Sequence, residues 1–85
     1  DEQRQVSREK LRNQIENDEI TIGQAVRTMR REWAGISQGK LGSFVGVSAN
    51  TISAIERDDD NATMETLRRV LRVFRMRLAI LPRCS

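Results

Sequence analysis

Apolar residues recur at helical spacing from residue 21 onward, and each run follows a residue that can cap a helix. The first run follows Thr21, and a hydroxyl there with Gln24 three residues later has the form of a capping box. This pattern predicts a helix that reaches about Arg31 and is followed by a break at Gly35. The apolar positions of the run are Ile22, Ala25, Val26, Met29 and Trp33.

The same signals predict three further helices. Ser37 caps the next one, and Gly46 ends it in the left-handed conformation that glycine adopts without strain. Ser48 and Thr63 cap the other two, which are separated by a polar break at residues 58–61. The residues expected to face inward are Leu41, Phe44 and Val45, then Ile52 and Ile55, then Met64, Leu67, Val70, Leu71 and Phe74.

The first twenty residues are polar and rich in charge. Ser7 is placed to cap a short helix that carries Leu11 and Ile15 four residues apart. An apolar stripe of two residues is too narrow to bury firmly, so we expect a loosely docked helix or arm.

The pattern changes to a period of two after residue 75. Met76, Leu78 and Ile80 alternate with Arg77, Ala79 and Leu81, and Pro82 follows. This alternation predicts a short strand. Because a lone strand leaves its backbone groups without partners, we expect it to pair with the same strand of a second copy, through Met76, Leu78 and Ile80.

Composition narrows the classes of function. The chain has 85 residues, no His and one Cys, so we expect one domain, no zinc site and no cofactor. The lone Cys84 is expected to be a free thiol, and catalysis has little support. No apolar run has the length of a membrane span, which favours a cytoplasmic protein without membrane contact. The net charge is +3, with the basic excess after residue 20, and this mildly favours a polyanionic partner.

The most informative stretch is residues 38–57. Two short helices joined by a tight glycine turn must cross steeply, and Gly42 lets their backbones approach. Val47, Ile52 and Ile55 hold the second helix on the first. Only small or polar residues remain on its outer face, which suits a helix that enters a DNA groove. These are Ala49, Asn50, Ser53, Ala54 and Arg57.

This stretch resembles the helix-turn-helix of the phage-repressor-like (Xre/Cro-type) family. The family pattern runs Gln, Leu-Ala, Gly-Val-Ser, Thr-Ile-Ser, then Ile-Glu and a basic residue, and Gly42 stands where Ala is usual. The similarity covers about residues 21–75. It implies an all-α, phage-repressor-like bundle of four to five helices, to which we add the short C-terminal β-strand for dimer pairing. The expected organisation is an arm or helix at 1–20, a DNA-binding domain at 21–75, and a dimerisation strand and tail at 76–85.

The resemblance also implies roles by position. Gln38 would hold a phosphate, whereas Lys40, Thr51 and Arg57 would touch the DNA backbone. The residues expected to face base edges are Ser48, Ala49, Asn50 and Ser53, with Asn50 the candidate reader of adenine.

In this family the glutamate, here Glu56, pairs with an arginine of the first helix. We choose Arg30 as this partner. Arg31 and Arg27 are kept as alternatives, because the chain carries one extra residue near Trp33 and Ala34 and the spacing to Gln38 therefore differs from the family's.

A second resemblance links the chain to HipB-type antitoxins. It lies in Thr51-Ile52-Ser53, in residues 61–67 and in the alternating residues 76–80. It implies a homodimer that represses its own operon by binding operator DNA and that also holds a kinase-like toxin. The alternatives are a free-standing phage-type repressor or restriction-modification controller, and a protein-binding module without DNA contact. The arginines at 68, 69, 72 and 75 are expected to form a solvated face, or else to contact a partner or flanking DNA.

Overall fold

The computed structural model describes residues 2–59, 62–80 and 82, with side chains from Gln5 onward. The expectations for residues 60 and 61, for Leu81 and for Cys84 fall outside the described residues. The helices are α1 (Glu2–Glu16), α2 (Ile22–Thr28), α3 (Gln38–Val45), α4 (Ala49–Glu56) and α5 (Met64–Val73), and α2 continues as a π-helix over Met29–Ala34. No described helix has the length and apolarity needed to cross a membrane.

The predicted caps of the central helices are confirmed. Thr21 and Gln24 form both halves of the capping box. The backbone nitrogen of Gln24 lies 3.1 Å from Thr21 Oγ1, and that of Thr21 lies 2.9 Å from Gln24 Oε1. Hydroxyl caps also begin α3, α4 and α5, at Ser37, Ser48 and Thr63. Each cap satisfies a backbone N–H in the first turn that has no partner within the helix. Short polar signals in the sequence therefore fix where these helices start.

The core draws on all five helices. Its buried apolar residues are Leu11, Ala25, Val26, Met29, Leu41, Val45, Ile52, Ile55, Val70, Leu71 and Phe74. Phe44 and Met64 were expected to join this core, but each side chain is 61% exposed. In α3 the inward positions are occupied by Leu41 and Val45. Met64 is the first residue of α5, whose buried residues are Val70 and Leu71. Ile22 is likewise half exposed.

The prediction of a loosely docked first helix is wrong in one respect. Leu11 is 1% exposed and belongs to the core, whereas Ile15 is 40% exposed. Ser7 does not cap α1, because the helix already begins at Glu2. Its hydroxyl instead accepts a hydrogen bond from Trp33 Nε1 at 2.6 Å. One leucine and one hydrogen bond thus hold α1 where the stripe alone predicted weak contact.

The extra residue expected near Trp33 and Ala34 lies in the π-helix. A π-helix bonds each N–H to the carbonyl five residues back, so it accommodates one more residue than an α-helix of the same length. The N–H of Gly35 accordingly donates to the carbonyl of Arg30, and Gly35 adopts a φ of +61°. The helix absorbs the insertion internally and ends at the predicted glycine.

The C-terminal strand is not present among the described residues, which contain helices, turns and irregular segments. A strand ladder needs a second strand, and no other described segment offers one. The N–H of Met76 instead donates to the carbonyl of Leu71 at 2.9 Å. Met76 and Leu78 are partly buried against the core of their own chain, whereas Ile80 is fully exposed. The three residues of the predicted dimer interface are therefore not on one free face.

Candidate nucleic-acid interface

The crossing of α3 and α4 depends on Gly42. Its carbonyl accepts the N–H groups of Gly46 at 2.7 Å and Val47 at 2.9 Å. A Cβ placed on Gly42 would lie 2.5 Å from the carbonyl oxygen of Val47. Gly46 then reverses the chain at a φ of +87°. The predicted close approach at Gly42 and left-handed turn at Gly46 are both found, and together they set the steep angle between the two helices.

The outer face of α4 presents small and polar groups. Ala49, Asn50 and Arg57 are exposed, while Ser53 and Ala54 are partly exposed. The residues behind them, Ile52 and Ile55, are buried. No large side chain therefore prevents this helix from approaching another surface closely.

Several hydroxyls on this face are already engaged. Ser48 Oγ accepts the N–H of Thr51 at 3.2 Å and lies 3.1 Å from the Thr51 hydroxyl. The Ser53 hydroxyl accepts a hydrogen bond from the Arg57 guanidinium. The side chain of Asn50, by contrast, has no hydrogen-bond partner among the described residues. Its amide is the group on this face with both donor and acceptor capacity available.

A buried ion pair anchors the end of α4. Arg30 Nε lies 2.6 Å from Glu56 Oε2, and Arg30 Nη2 donates to Glu56 Oε1 at 3.0 Å. The two side chains are only 11% and 5% exposed. Arg30 Nη1 also donates to the carbonyl of Ile36 at 2.8 Å. The choice of Arg30 over Arg27 and Arg31, which are both exposed, is therefore confirmed.

Gln38 joins the same network. Its Nε2 donates to Glu56 Oε1 at 3.1 Å, so one carboxylate holds the first residue of α3 and an arginine of the π-helix. Gln38 is half-buried, whereas Lys40, two residues later in α3, is exposed. Lys40 Nζ lies 5.7 Å from the centroid of the Phe44 ring. Gln38 is thus placed at the start of α3 by a defined contact, and Lys40 is exposed beside Phe44.

Asp58 has a structural role that the sequence did not reveal. Its Oδ2 accepts the Thr21 hydroxyl at 2.6 Å, and its Oδ1 accepts the N–H of Gly23 at 2.8 Å. These bonds tie the segment after α4 to the first turn of α2, 35 residues earlier. The available signal was an acidic residue that can satisfy free N–H groups at a helix start. Because three aspartates follow one another at residues 58–60, the sequence alone does not indicate which of them contacts α2.

The structure therefore brings most of the predicted interface residues together. Gln38 and Lys40 begin α3, and Ser48 to Arg57 lie along α4 and its two ends. Met76, Leu78 and Ile80 belong to the segment after α5.

Comparison with known proteins identifies this arrangement. A family model described as helix-turn-helix matches residues 28–81, which include the π-helix and all of α3, α4 and α5. The chain belongs to the helix-turn-helix family. This membership confirms the Xre-type resemblance and indicates a DNA-binding transcription regulator. Searches of curated proteins and of solved structures return no match.

Proposed function

We propose that this helix-turn-helix protein binds specific sites in double-stranded operator DNA through the outer face of α4 and represses transcription there. The observation that carries the proposal is the Glu56 carboxylate, which contacts Arg30 and Gln38 at once. A helix fixed in this way, with small residues outward, fits the major groove of B-DNA, which is about 12 Å wide. We propose binding and no catalysis.

Asn50 is the proposed base reader. It is exposed near the start of α4. An asparagine amide that is free of other partners can donate a hydrogen bond to N7 of adenine and accept one from the N6 amino group. Ser48, Ala49 and Ser53 lie close to the same surface, where their small size permits approach to base edges. Few direct readers remain on the face, so we propose that DNA shape contributes to specificity.

The remaining candidates are proposed to contact the DNA backbone. Lys40 and Arg57 are exposed cations, and Thr51 lies next to the Ser48 cap. Gln38 keeps one amide hydrogen and its carbonyl oxygen beyond the bond to Glu56, and these are available to a phosphate and its water. Contacts of this kind position a protein on the duplex without reading its sequence.

Asn50→Ala is expected to reduce discrimination at one base pair by about 1–3 kcal/mol. Stability should not change, because the side chain is exposed and has no described partner. The measurement is a set of binding titrations on an operator obtained by in vitro selection and on its single-base variants. Lys40→Ala is the contrasting variant, expected to weaken all sequences alike and to reduce the salt slope by about 0.9. An Asn50→Ala protein that lost affinity uniformly would contradict the base-reading role.

We further propose that the protein binds DNA as a homodimer joined through residues 76–80. Two observations support this: Ile80 is fully exposed, and the described part of this segment has no strand partner within its own chain. Pairing of two such segments would satisfy their backbone groups and cover Ile80. Two-fold symmetry would then place the half-sites about one helical turn apart on the DNA.

Ile80→Glu is expected to convert dimers to monomers in sedimentation experiments without unfolding the chain. Ile80 is the appropriate position because Leu78 is half-buried in its own core, and a charge there would destabilise the monomer as well. Ala79→Glu is the matched control, since Ala79 is exposed and is its neighbour in the same segment. Dimers that persist in Ile80→Glu would assign the interface to another surface.

We also propose that the protein is the antitoxin of a HipBA-like toxin–antitoxin operon and holds a kinase-like toxin. Support comes from the sequence resemblance to HipB-type antitoxins. It lies in three segments in the same order: the Thr-Ile-Ser motif, residues 61–67 and the alternating residues after α5. The test is to express the product of the adjacent reading frame with this chain. A kinase-like product that copurifies with it and is inhibited by it is expected. An adjacent frame of any other kind would favour a free-standing regulator.

A further inference from the structure

A groove bordered by α1, the π-helix, α3 and the end of α5 gathers every aromatic residue of the chain. The sequence contains one Trp, two Phe and no Tyr. Trp33, Phe44 and Phe74 all line one groove of about 330 Å³, together with the aliphatic side chains of Ile36 and Val73. Phe74 is buried at the base, whereas Phe44 is 61% and Val73 41% exposed. In a chain with a mean hydropathy of −0.57, this is a concentrated apolar surface.

The rim of the groove is basic. Arg8 from α1 and Arg75 after α5 are among its lining residues, and none of the described residues that line it is acidic. The Arg8 guanidinium lies 4.7 Å from the centroid of the Trp33 ring. Lys40 adds a third cation beside Phe44. An apolar floor with a cationic rim attracts apolar side chains flanked by carboxylates.

We propose that this groove binds an acidic amphipathic segment of a partner protein, with two or three Leu, Ile or Phe side chains set among Asp and Glu. Two of its aromatic residues are accessible, since Phe44 is exposed and Trp33 is partly exposed, and aromatic side chains are enriched in protein interfaces. The volume suits a few side chains in a groove, which is how amphipathic helices are recognised. This surface goes beyond the proposed DNA contact, because it involves neither α4 nor Asn50, and Lys40 is the residue that the two surfaces share.

Charge argues against the other occupants. A second copy placed symmetrically on the groove would set Arg8 and Arg75 against the same two cations. The five residues that end the sequence contain Arg83 and no acid, so they do not complement the rim. Duplex DNA would meet the arginines, but its stacked bases offer nothing to the aromatic and aliphatic floor.

Trp33 provides a direct readout, since it is the only tryptophan and lies in the groove. The full chain is titrated with a synthetic helical peptide that carries Leu at positions i, i+3 and i+4 among Glu residues. A control peptide, in which Lys replaces every Glu, is titrated in parallel. The Glu peptide is expected to shift the fluorescence emission of Trp33 and to bind at least tenfold more tightly than the Lys control peptide. Equal binding of the two peptides would overturn the proposal.

Phe44→Ala should weaken binding of the Glu peptide about thirtyfold, the smallest loss expected when a hot-spot side chain is truncated. Met64→Ala is the matched control, because Met64 is also 61% exposed but lies outside the groove. If both variants behave alike, the groove is not the site. Competition of duplex DNA with the peptide, or self-association that Phe44→Ala abolishes, would assign the groove to DNA or to a second copy. DNA binding by the Phe44→Ala protein, measured separately, tests the proposed function independently.

Discussion

Glu56→Ala is expected to destabilise the fold by about 3–5 kcal/mol, the loss typical when one partner of a buried ion pair is removed. The change leaves the Arg30 guanidinium, 11% exposed, without the carboxylate that accepts two of its hydrogen bonds. It also removes the acceptor of Gln38 Nε2. A domain of this size has a total stability of roughly 5–15 kcal/mol, so much of the margin would be lost. Urea denaturation followed by circular dichroism measures the change.

Glu16→Ala is the matched control for this experiment. Glu16 pairs with Arg12 at 3.0 Å, but the two side chains are 47% and 77% exposed. An exposed pair of this kind contributes at most about 0.5 kcal/mol. The double variant Arg30→Met with Glu56→Leu removes both buried charges and should recover most of the lost stability. If Glu56→Ala cost no more than Glu16→Ala, the ion pair would not be what anchors α4.

Local chemistry explains what the sequence predicted well. Hydroxyl caps at Thr21, Ser37, Ser48 and Thr63 act within one helical turn, so their effect is visible in a few neighbouring letters. The same holds for Gly46, because the turn after α3 requires a positive φ, which glycine adopts without strain. The Arg30–Glu56 pair spans 26 residues, yet the family resemblance supplied it. The π-helix kept it aligned despite the extra residue.

Long-range packing explains what the sequence missed. Leu11 is buried, and the Trp33 indole donates a hydrogen bond to the Ser7 hydroxyl, one turn before Leu11; no periodicity within residues 1–20 encodes this contact between α1 and the π-helix. Phe44 is apolar at helical spacing, yet Leu41 and Val45 already occupy the inward positions of α3. The alternation after residue 75 correctly marks a change from helix, but whether it forms a ladder depends on a second chain. These outcomes are set by neighbours far along the sequence.

Gly23→Ala is the substitution with the next largest expected effect, about 3 kcal/mol of lost stability. A Cβ there would lie 2.4 Å from the Ile55 carbonyl oxygen, 2.8 Å from that of Glu56 and 2.7 Å from Asp58 Oδ1. Two of these atoms belong to the backbone at the end of α4, so they move only if the helix moves. Overpacking of a rigid site costs about 1–3 kcal/mol, and the Asp58 bond to the Gly23 N–H would be strained as well.

Thermal unfolding tests this expectation, with Gly39→Ala as the matched control. Gly39 lies in α3, and a Cβ there would meet only the Ser37 hydroxyl at 3.9 Å. Alanine is the better helix former by about 0.5–1 kcal/mol, so Gly39→Ala should keep or raise the Tm. In a domain of this size each kcal/mol lowers the Tm by roughly 4–8 °C, so a loss of about 3 kcal/mol in Gly23→Ala should lower it by about 12–24 °C. Similar Tm values for the two variants would mean that α2 and α4 can separate without cost. A lower Tm for Gly23→Ala alone would instead show that the stability of the fold depends on the close approach of α2 to the end of α4 at one glycine, outside the segment that the helix-turn-helix model matches.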